Sequence, residues 1–152
     1  MKEIKAPNKI QRGRQTIFLA GSIEQGTAEL WQDKVVRLLE DEDVIILNPR
    51  REDWDDSWKQ SIDNNQFREQ VEWELMGLEL ADKILMYFDQ KTKSPITLLE
   101  LGLFANSGKL IVICPEGFWR KGNVDIVCKK YRIEQAKTIE EAVQKLKQKS
   151  NK

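Results

Sequence analysis

Four short, uninterrupted apolar runs divide the chain, a pattern typical of strands that are buried on both faces of a sheet. They are Thr16–Ala20, Val44–Leu47, Lys83–Phe88 and Leu110–Cys114, and a weaker run near Arg132–Ala136 predicts a fifth strand. Segments with apolar residues at helical spacing separate the runs. This alternation predicts a single-domain, flavodoxin-like (Rossmann-like) α/β fold, with a five-stranded parallel sheet in the order 2-1-3-4-5 and helices on both faces.

Residues at the helix starts refine this picture. Thr27 is predicted to open the first helix, and Asp63 with Gln66 resembles a capping box for a helix that reaches about residue 81. The predicted core stripe of that helix is Phe67, Val71, Leu75 and Leu78. Ser94 and Pro95 suit the N-cap and the first turn of a third helix. The polar, basic residues 1–15 are expected to form a flexible arm before a domain over residues 16–148.

Glu100 is the one charged residue in the otherwise apolar helix that follows Ser94. No Lys or Arg lies three or four residues away to pair with it on the same helix face. A glutamate on a helix is usually a solvated surface residue. In the predicted strand order, however, ligands bind between the loops at residues 20–25 and 89–94. The helix begins at the second of these loops, which favours a functional role for Glu100.

Composition narrows the chemistry that is available. The chain has no histidine, which excludes His-based nucleophile systems and His-bearing metal sites, and no cofactor or metal is expected. Lys+Arg and Asp+Glu both number 25, so no basic excess suggests a nucleic acid polymer as partner. Cys114 and Cys128 lack metal-ligand spacing and are typical of a reducing compartment. Without a long apolar run, a cytoplasmic protein with no membrane contact is expected.

A carboxylate without histidine or metal suits attack on an electrophilic sugar carbon, as in retaining glycosyl transfer. Such transfer needs a second acid, and the candidates are Glu74, Asp53, Asp55 and Asp89, although each taken alone is more often a solvated surface residue. The aromatic residues Trp54, Trp58, Phe118 and Trp119 either stack on a flat base or cover the edges of the core. The Gly21-Ser22 pair either holds a phosphate on backbone amides or forms a plain turn.

An ordered set of motifs covers most of the chain, from about residue 16 to 130. The motifs are Ile17–Ile23, Asn48–Arg51 with Asp53–Asp55, Gln70–Glu74, Ser94–Ile96 with Leu99–Gly102, and Gly117–Asp125. Together they resemble the nucleoside 2-deoxyribosyltransferase-like family. The resemblance implies a flavodoxin-like fold and transfer of a 2-deoxyribosyl, or ribosyl, group between nucleobases through a covalent glycosyl-glutamate intermediate.

The resemblance also implies roles for single residues. The family nucleophile falls on Glu100, and a family carboxylate on the helix before the third strand falls on Glu74. The first-strand tyrosine that holds the nucleophile falls on Phe18, so Tyr87 or a water is a candidate replacement. A second family carboxylate falls on Ser94. An asparagine that a neighbouring subunit supplies falls on Asn123, which implies a homo-oligomer with sites completed across subunits.

The family's base-recognition loop corresponds to Asn48–Asp55. The expected substrates are nucleosides and free nucleobases. The complete set of candidate substrate-binding residues is Phe18, Gly21, Ser22, Asn48, Arg50, Asp53, Trp54, Asp55, Gln70, Asp89, Ser94 and Asn123, beside the candidate catalytic residues Glu100 and Glu74. Two alternatives stay open: a hydrolase of nucleosides or their 5′-monophosphates, and a non-catalytic nucleotide-binding module.

Overall fold

A six-stranded parallel sheet lies between two layers of helices in a computed structural model that describes residues 1–23, 30–51 and 53–150. The strands are β1 (Lys2–Lys5), β2 (Gln15–Gly21), β3 (Val44–Asn48), β4 (Lys83–Tyr87), β5 (Leu110–Ile113) and β6 (Glu134–Ala136). The helices are α1 (Trp31–Leu38), α2 (Asn65–Leu80), α3 (Pro95–Phe104), α4 (Lys121–Lys130) and α5 (Ile139–Ser150). The predicted opening of the first helix at Thr27 lies outside the described residues.

The strand order is β1-β3-β2-β4-β5-β6, and every pair of neighbours is parallel. The predicted order of five strands corresponds to β3-β2-β4-β5-β6 and is confirmed. The sixth strand, β1, was not predicted, because it lies in the segment expected to be a flexible arm. It pairs with β3 in the register Lys2↔Ile45 to Lys5↔Asn48. Of its four residues only Ile4 is buried, so this edge strand has no apolar run to reveal it.

Successive strand residues point into two separate cores, as the pleat of a strand requires. Phe18 and Ala20 face the layer built by α2, α3 and α4. Ile17 and Leu19 face the layer built by α1 and α5. The carboxyl ends of β2 and β4 lie side by side at the point where the chain changes direction across the sheet, which is where such folds form a cleft.

Helix α2 differs from its prediction in its first residue and in its buried face. Asn64, rather than Asp63, is the N-cap, and its Oδ1 accepts a hydrogen bond from the Phe67 backbone N–H at 2.9 Å. Leu75, a residue of the predicted core stripe, is 39% exposed. The buried residues of the helix are Gln70, Trp73, Gly77 and Leu78. The apolar pattern misled because it continues onto the exposed face and because a buried glutamine and glycine carry no apolar signal.

Gly77 explains how closely α2 approaches the sheet. A Cβ atom at this position would lie 2.7 Å from the Phe18 ring, so the ring fits under the helix only because the side chain is absent. Trp73 packs against the same ring, with 6.2 Å between ring centroids. This close packing fixes the helix that carries Gln70 and Glu74.

No helix among the described residues is long and apolar enough to cross a membrane.

Candidate active site

Glu100 lies on the buried face of α3. The helix buries Thr97, Glu100 and Leu101 toward the sheet, and its opposite face leaves Ile96, Leu99 and Leu103 exposed. Glu100 is only 8% exposed, although it is the one charged residue of the helix. The sequence pattern therefore identified a carboxylate that is held inside the fold.

The start of α3 differs from the prediction that Ser94 caps it. Ser94 occupies the N-cap position and Pro95 the first turn, but the Ser94 side chain makes no capping hydrogen bond. The residue adopts a left-handed conformation with φ of 46°, which is uncommon for a residue other than glycine. Its hydroxyl instead lies 2.7 Å from Thr92 Oγ1, and it also contacts Ser22 Oγ. The side chain is thus part of a polar cluster at the cleft.

That cluster of buried hydroxyls joins the loops after β2 and β4. Ser22 Oγ lies 3.0 Å from Thr92 Oγ1 and accepts a hydrogen bond from the Asp89 backbone N–H at 2.9 Å. Ser22, Thr92, Ser94 and Asp89 are all at most 5% exposed. The cluster holds the two loops together at the point where the strand order reverses.

Gly21 is required for this contact between loops. A Cβ atom there would lie 2.4 Å from the Tyr87 carbonyl oxygen and 2.8 Å from the Trp31 ring. The next residue, Ser22, donates its backbone N–H to the same Tyr87 oxygen at 3.1 Å. Gly21 therefore lets β2 and β4 approach closely at their carboxyl ends.

Glu74 lies on α2, one turn after Gln70. Gln70 Nε2 donates to Glu74 Oε1 at 3.2 Å and to the Pro49 carbonyl oxygen at 2.9 Å. The amide thereby ties the carboxyl group to the loop that follows β3. A glutamine on an amphipathic helix is usually exposed, whereas the structure buries Gln70 to 4% exposure.

Glu74 and Glu100 form an electrostatically coupled pair. Burial and, to a smaller extent, the negative charge of Glu74 together raise the pKa of Glu100 to about 8. Burial also raises the pKa of Glu74 to about 7, opposed by the hydrogen bond from Gln70. Ionising both carboxyl groups would place two like charges in a poorly solvated site, which is unfavourable. The pair therefore retains a proton near neutral pH. This arrangement supplies an acid and a base from the same residue type.

Phe18 and Tyr87 lie on opposite faces of the sheet. Phe18 is fully buried in the core beneath α2 and α3. Tyr87 packs on the α1 and α5 side, with its ring centroid 5.3 Å from that of Trp31. The position of the Tyr87 ring therefore does not support the hypothesis that Tyr87 orients Glu100.

The first part of the loop after β3 is built around Asn48. This buried side chain donates from Nδ2 to Glu3 Oε1 at 3.0 Å and accepts the Arg50 backbone N–H at 3.1 Å. Arg50 is half-buried, and its Nη1 lies 3.5 Å from Gln32 Oε1. Gln32 was absent from the predicted site, since a glutamine at the start of an amphipathic helix carries no signal of its own.

The later part of this loop is exposed, and its polar side chains form hydrogen bonds within the loop itself. Arg51 donates to both carboxylate oxygens of Asp53, at 2.9 and 3.0 Å, and this hydrogen bonding lowers the pKa of Asp53. Hydrogen bonds from the Ser57 hydroxyl and backbone lower the pKa of Asp55. Trp54 packs edge-on against Trp58, with 5.0 Å between centroids. None of the hydrogen bonds and ring contacts just described joins this part of the loop to Glu74 or Glu100.

The segment around α4 adds two exposed candidates and one core residue. Asn123 is exposed on α4, and Trp119 is 47% exposed, with its Nε1 donating to the Lys93 carbonyl oxygen at 2.9 Å. Phe118 is buried against Phe88 and covers the core, so it is not free to stack on a base.

The structure thus brings together several of the predicted site residues. Glu100, Glu74 and Gln70 form one group, and Ser22, Asp89 and Ser94 form another at the β2–β4 cleft, next to Gly21. Asn48 and Arg50 are linked to the first group through Pro49 and Gln70. Among the described residues, no group of three or more His, Cys, Asp or Glu side chains could hold a metal ion.

A flavodoxin-like sheet with two coupled carboxyl groups beside its cleft, one buried and one half-buried, is an α/β arrangement suited to acid–base or nucleophilic chemistry. The family model described as nucleoside 2-deoxyribosyltransferase like matches residues 14–118. The chain therefore belongs to the nucleoside 2-deoxyribosyltransferase-like family. A comparison with curated proteins found no match.

Proposed function

We propose that this protein transfers the 2-deoxyribosyl, or ribosyl, group of a nucleoside to another nucleobase by retaining double displacement. The coupled pair of the buried Glu100 and the half-buried Glu74 is the observation that carries the proposal. Family membership gives the substrate class of nucleosides and nucleobases. The proposal assigns the nucleophile to Glu100 and the acid–base role to Glu74.

In the first step, an oxygen of the Glu100 carboxylate bonds to C1′ as the bond between C1′ and the base nitrogen breaks. In the free protein the higher pKa of Glu100 keeps the retained proton on that residue. The proposal requires this proton to pass to Glu74 when positive charge develops at C1′ and stabilises the Glu100 anion. Glu74 gives this proton to the departing base nitrogen. In the second step, an incoming base attacks C1′, Glu74 takes its proton, and the Glu100 ester bond breaks. Two inversions at C1′ give net retention.

The hydroxyl cluster supports a place for the sugar at the β2–β4 cleft. Ser22, Thr92 and Ser94 offer neutral donors and acceptors next to the first turn of α3, the helix that carries Glu100. Gln70 donates to Glu74 and links it through Pro49 to Asn48 and Arg50, and these three polar side chains are assigned to the base. Asp53, Trp54 and Asp55, on the exposed part of the same loop, are assigned to the outer edge of the base site.

A Glu100→Gln variant tests the nucleophile. Replacing the carboxylate with an amide removes the only group that forms the glycosyl ester, so base exchange should fall by at least about 10³-fold. The measurement is chromatography of product nucleosides, together with mass spectrometry for a sugar adduct on the intact wild-type protein. Glu72→Gln, an exposed glutamate of α2, is the matched control and should retain full activity. Exchange at a normal rate in Glu100→Gln would contradict the assignment.

Hydrolysis of nucleoside 5′-monophosphates is the second candidate function, and one observation favours it. The position of a family carboxylate is occupied here by the neutral Ser94, which removes one of the negative charges that would repel a 5′-phosphate and leaves Asp89 as the carboxylate of the cluster. Incubating a deoxynucleoside and its 5′-monophosphate with and without an acceptor base separates the two functions. Free sugar or sugar phosphate that forms at the same rate in both cases would favour the hydrolase. A pure nucleotide-binding module would form no adduct and no product.

We further propose a homo-oligomer in which Asn123 of a neighbouring subunit completes each site. Ile96, Leu99 and Leu103 form an exposed apolar stripe on α3, each between 58% and 59% exposed. A stripe of this kind marks protein interfaces. Analytical ultracentrifugation should show an assembly larger than one chain, and Leu99→Glu should shift it toward the monomer. A monomeric wild type with full activity would contradict the proposal.

A further inference from the structure

Two buried glutamine side chains each carry a polar atom that has no hydrogen-bond partner: Nε2 of Gln32 and Oε1 of Gln70. The residues are 1% and 4% exposed. An unpaired buried donor or acceptor is unfavourable, so native structures keep such atoms where something else supplies the partner. A ligand is the natural partner beside a candidate active site.

The hydrogen-bond partners of each glutamine amide show which of its two polar atoms, the oxygen or the nitrogen, lacks a partner. Arg50 Nη1 approaches Gln32 at 3.5 Å, and a guanidinium only donates, so the amide oxygen of Gln32 faces it and the NH₂ group is left over. Gln70 lies between the Pro49 carbonyl and the Glu74 carboxyl group, which both accept from its Nε2. Its oxygen is therefore the free end. One glutamine offers a donor and the other an acceptor.

Both glutamines flank the same short segment, Pro49–Arg50, directly after β3. Gln32 reaches it from α1 and Gln70 from α2, so the two amides approach the loop from the two helix layers. Arg50 makes no ion pair with a carboxylate of residues 1–23, 30–51 or 53–150, which leaves its guanidinium charge uncompensated there. The segment is linked to Glu74 through Gln70, so a ligand held here lies next to the proposed reacting groups.

We propose that Arg50 and Gln32 read the carbonyl of an oxo nucleobase and that Gln70 accepts the neighbouring ring N–H. This inference rests on the proposed function, because it names the bases that the same site prefers. Oxopurines, uracil and thymine present a carbonyl next to a ring N–H, whereas adenine and cytosine present an amino group next to a bare ring nitrogen. Donors from Arg50 and Gln32 satisfy the carbonyl and repel the amino group.

The contact between Arg50 and Gln32 is what excludes adenine. A glutamine reads adenine with both amide atoms, accepting from the amino group and donating to a ring nitrogen. Here the Gln32 oxygen faces the Arg50 guanidinium, so the amide presents its unpaired NH₂ group, a donor, to a ligand. An arginine paired with two acceptors of guanine is the commonest specific contact to that base in nucleic acid recognition. With the donors of Arg50 and Gln32 together at one position and the acceptor of Gln70 at the next, the proposed site matches a carbonyl followed by a ring N–H, which is the oxo class.

The test compares 2′-deoxyinosine with 2′-deoxyadenosine, which share the sugar and purine frame and differ at the oxo or amino position and the adjoining ring nitrogen. Isothermal titration calorimetry with the full-length Glu100→Gln variant prevents turnover. Deoxyinosine should bind about 5- to 150-fold more tightly, the range that 1–3 kcal/mol of base discrimination gives. A second substitution in this variant, Gln32→Glu, places a carboxylate against Arg50. It should make the affinities for deoxyinosine and deoxyadenosine nearly equal.

Gln144→Glu, on the exposed face of α5, adds the same charge elsewhere and should leave the preference unchanged. Arg50→Met removes the guanidinium donors and should reduce the preference in the same way, which covers the case in which Gln32→Glu does not fold. Equal binding of the two nucleosides, or no binding of either, would overturn the inference. So would a preference that survives both variants. Base exchange by the wild type is a separate readout, so selective binding without exchange would overturn the transferase alone.

Discussion

Two regions of this protein carry carboxylates that sequence analysis considered as acids, and the fold treats them in opposite ways. On α2 and α3, Glu74 and Glu100 are withdrawn from water, and burial raises the pKa of both. In the exposed loop after β3, hydrogen bonds from Arg51 and Ser57 lower the pKa of Asp53 and Asp55. The same chemical group can hold a proton near neutral pH in the first region and not in the second. The environment, and not the residue type, therefore selects the acid.

The largest effect that we expect is a loss of base-exchange rate in the Glu74→Gln variant. This change removes the proposed general acid but keeps a similar shape and a partner for Gln70, so base exchange should fall by about 10²- to 10⁴-fold. The loss should be smaller for donors whose base leaves readily without protonation, a dependence that a purely structural role would not produce. Initial rates with a series of donor bases measure it.

Matched controls exist in both regions. Glu72, two residues before Glu74, is exposed and pairs with Arg68 at 3.8 Å, and Asp53 represents the loop. Glu72→Gln and Asp53→Asn should each retain most of the wild-type rate for protonation-dependent donors. A loss in Asp53→Asn as large as that in Glu74→Gln would show that the loop supplies the acid after all.

The contrast between these regions was only partly predictable from the sequence. Glu100 was identifiable because a carboxylate within an apolar helix at a strand-order switch is unusual. The sheet order followed from four apolar runs, each long enough to be recognised. The sequence could not show which of Asp53 and Glu74 is the better acid. The desolvation of Glu74 depends on how closely α2 packs, at Gly77, against Phe18, and these residues are far apart in sequence.

Other features were missed for related reasons. The edge strand β1 has one buried residue, Ile4, and therefore no apolar pattern. Gln32 is buried because α1 lies near the loop after β3, and a single glutamine gives no periodic signal. Ser94 was predicted as a cap from local preference, whereas the tertiary contacts with Ser22 and Thr92 determine its side chain. Local patterns predict elements, and contacts between distant elements decide the roles of polar residues.

A smaller effect should appear in the pH dependence of stability. The carboxyl groups of Glu74 and Glu100 titrate near 7 and 8 in the folded protein and near their ordinary value of 4.5 when unfolded. Between these values the folded state binds more protons than the unfolded state. The free energy of unfolding should therefore fall as pH rises from about 5 to 8, by up to about 1.4 kcal/mol per pH unit for each group. Above the folded pKa values it should level off.

Urea unfolding of wild type, Glu100→Gln and Asp53→Asn across this pH range measures the difference between the two regions. Glu100→Gln removes one of the two titrating groups, so its stability should depend less on pH than that of the wild type. Asp53→Asn should follow the wild-type slope, because the lowered pKa of Asp53 confines its contribution to acid conditions, where stability is lost as pH falls. Parallel slopes for all three proteins would mean that the carboxyl pair is as well solvated as the loop, and the distinction between acid and bystander would then have no physical basis.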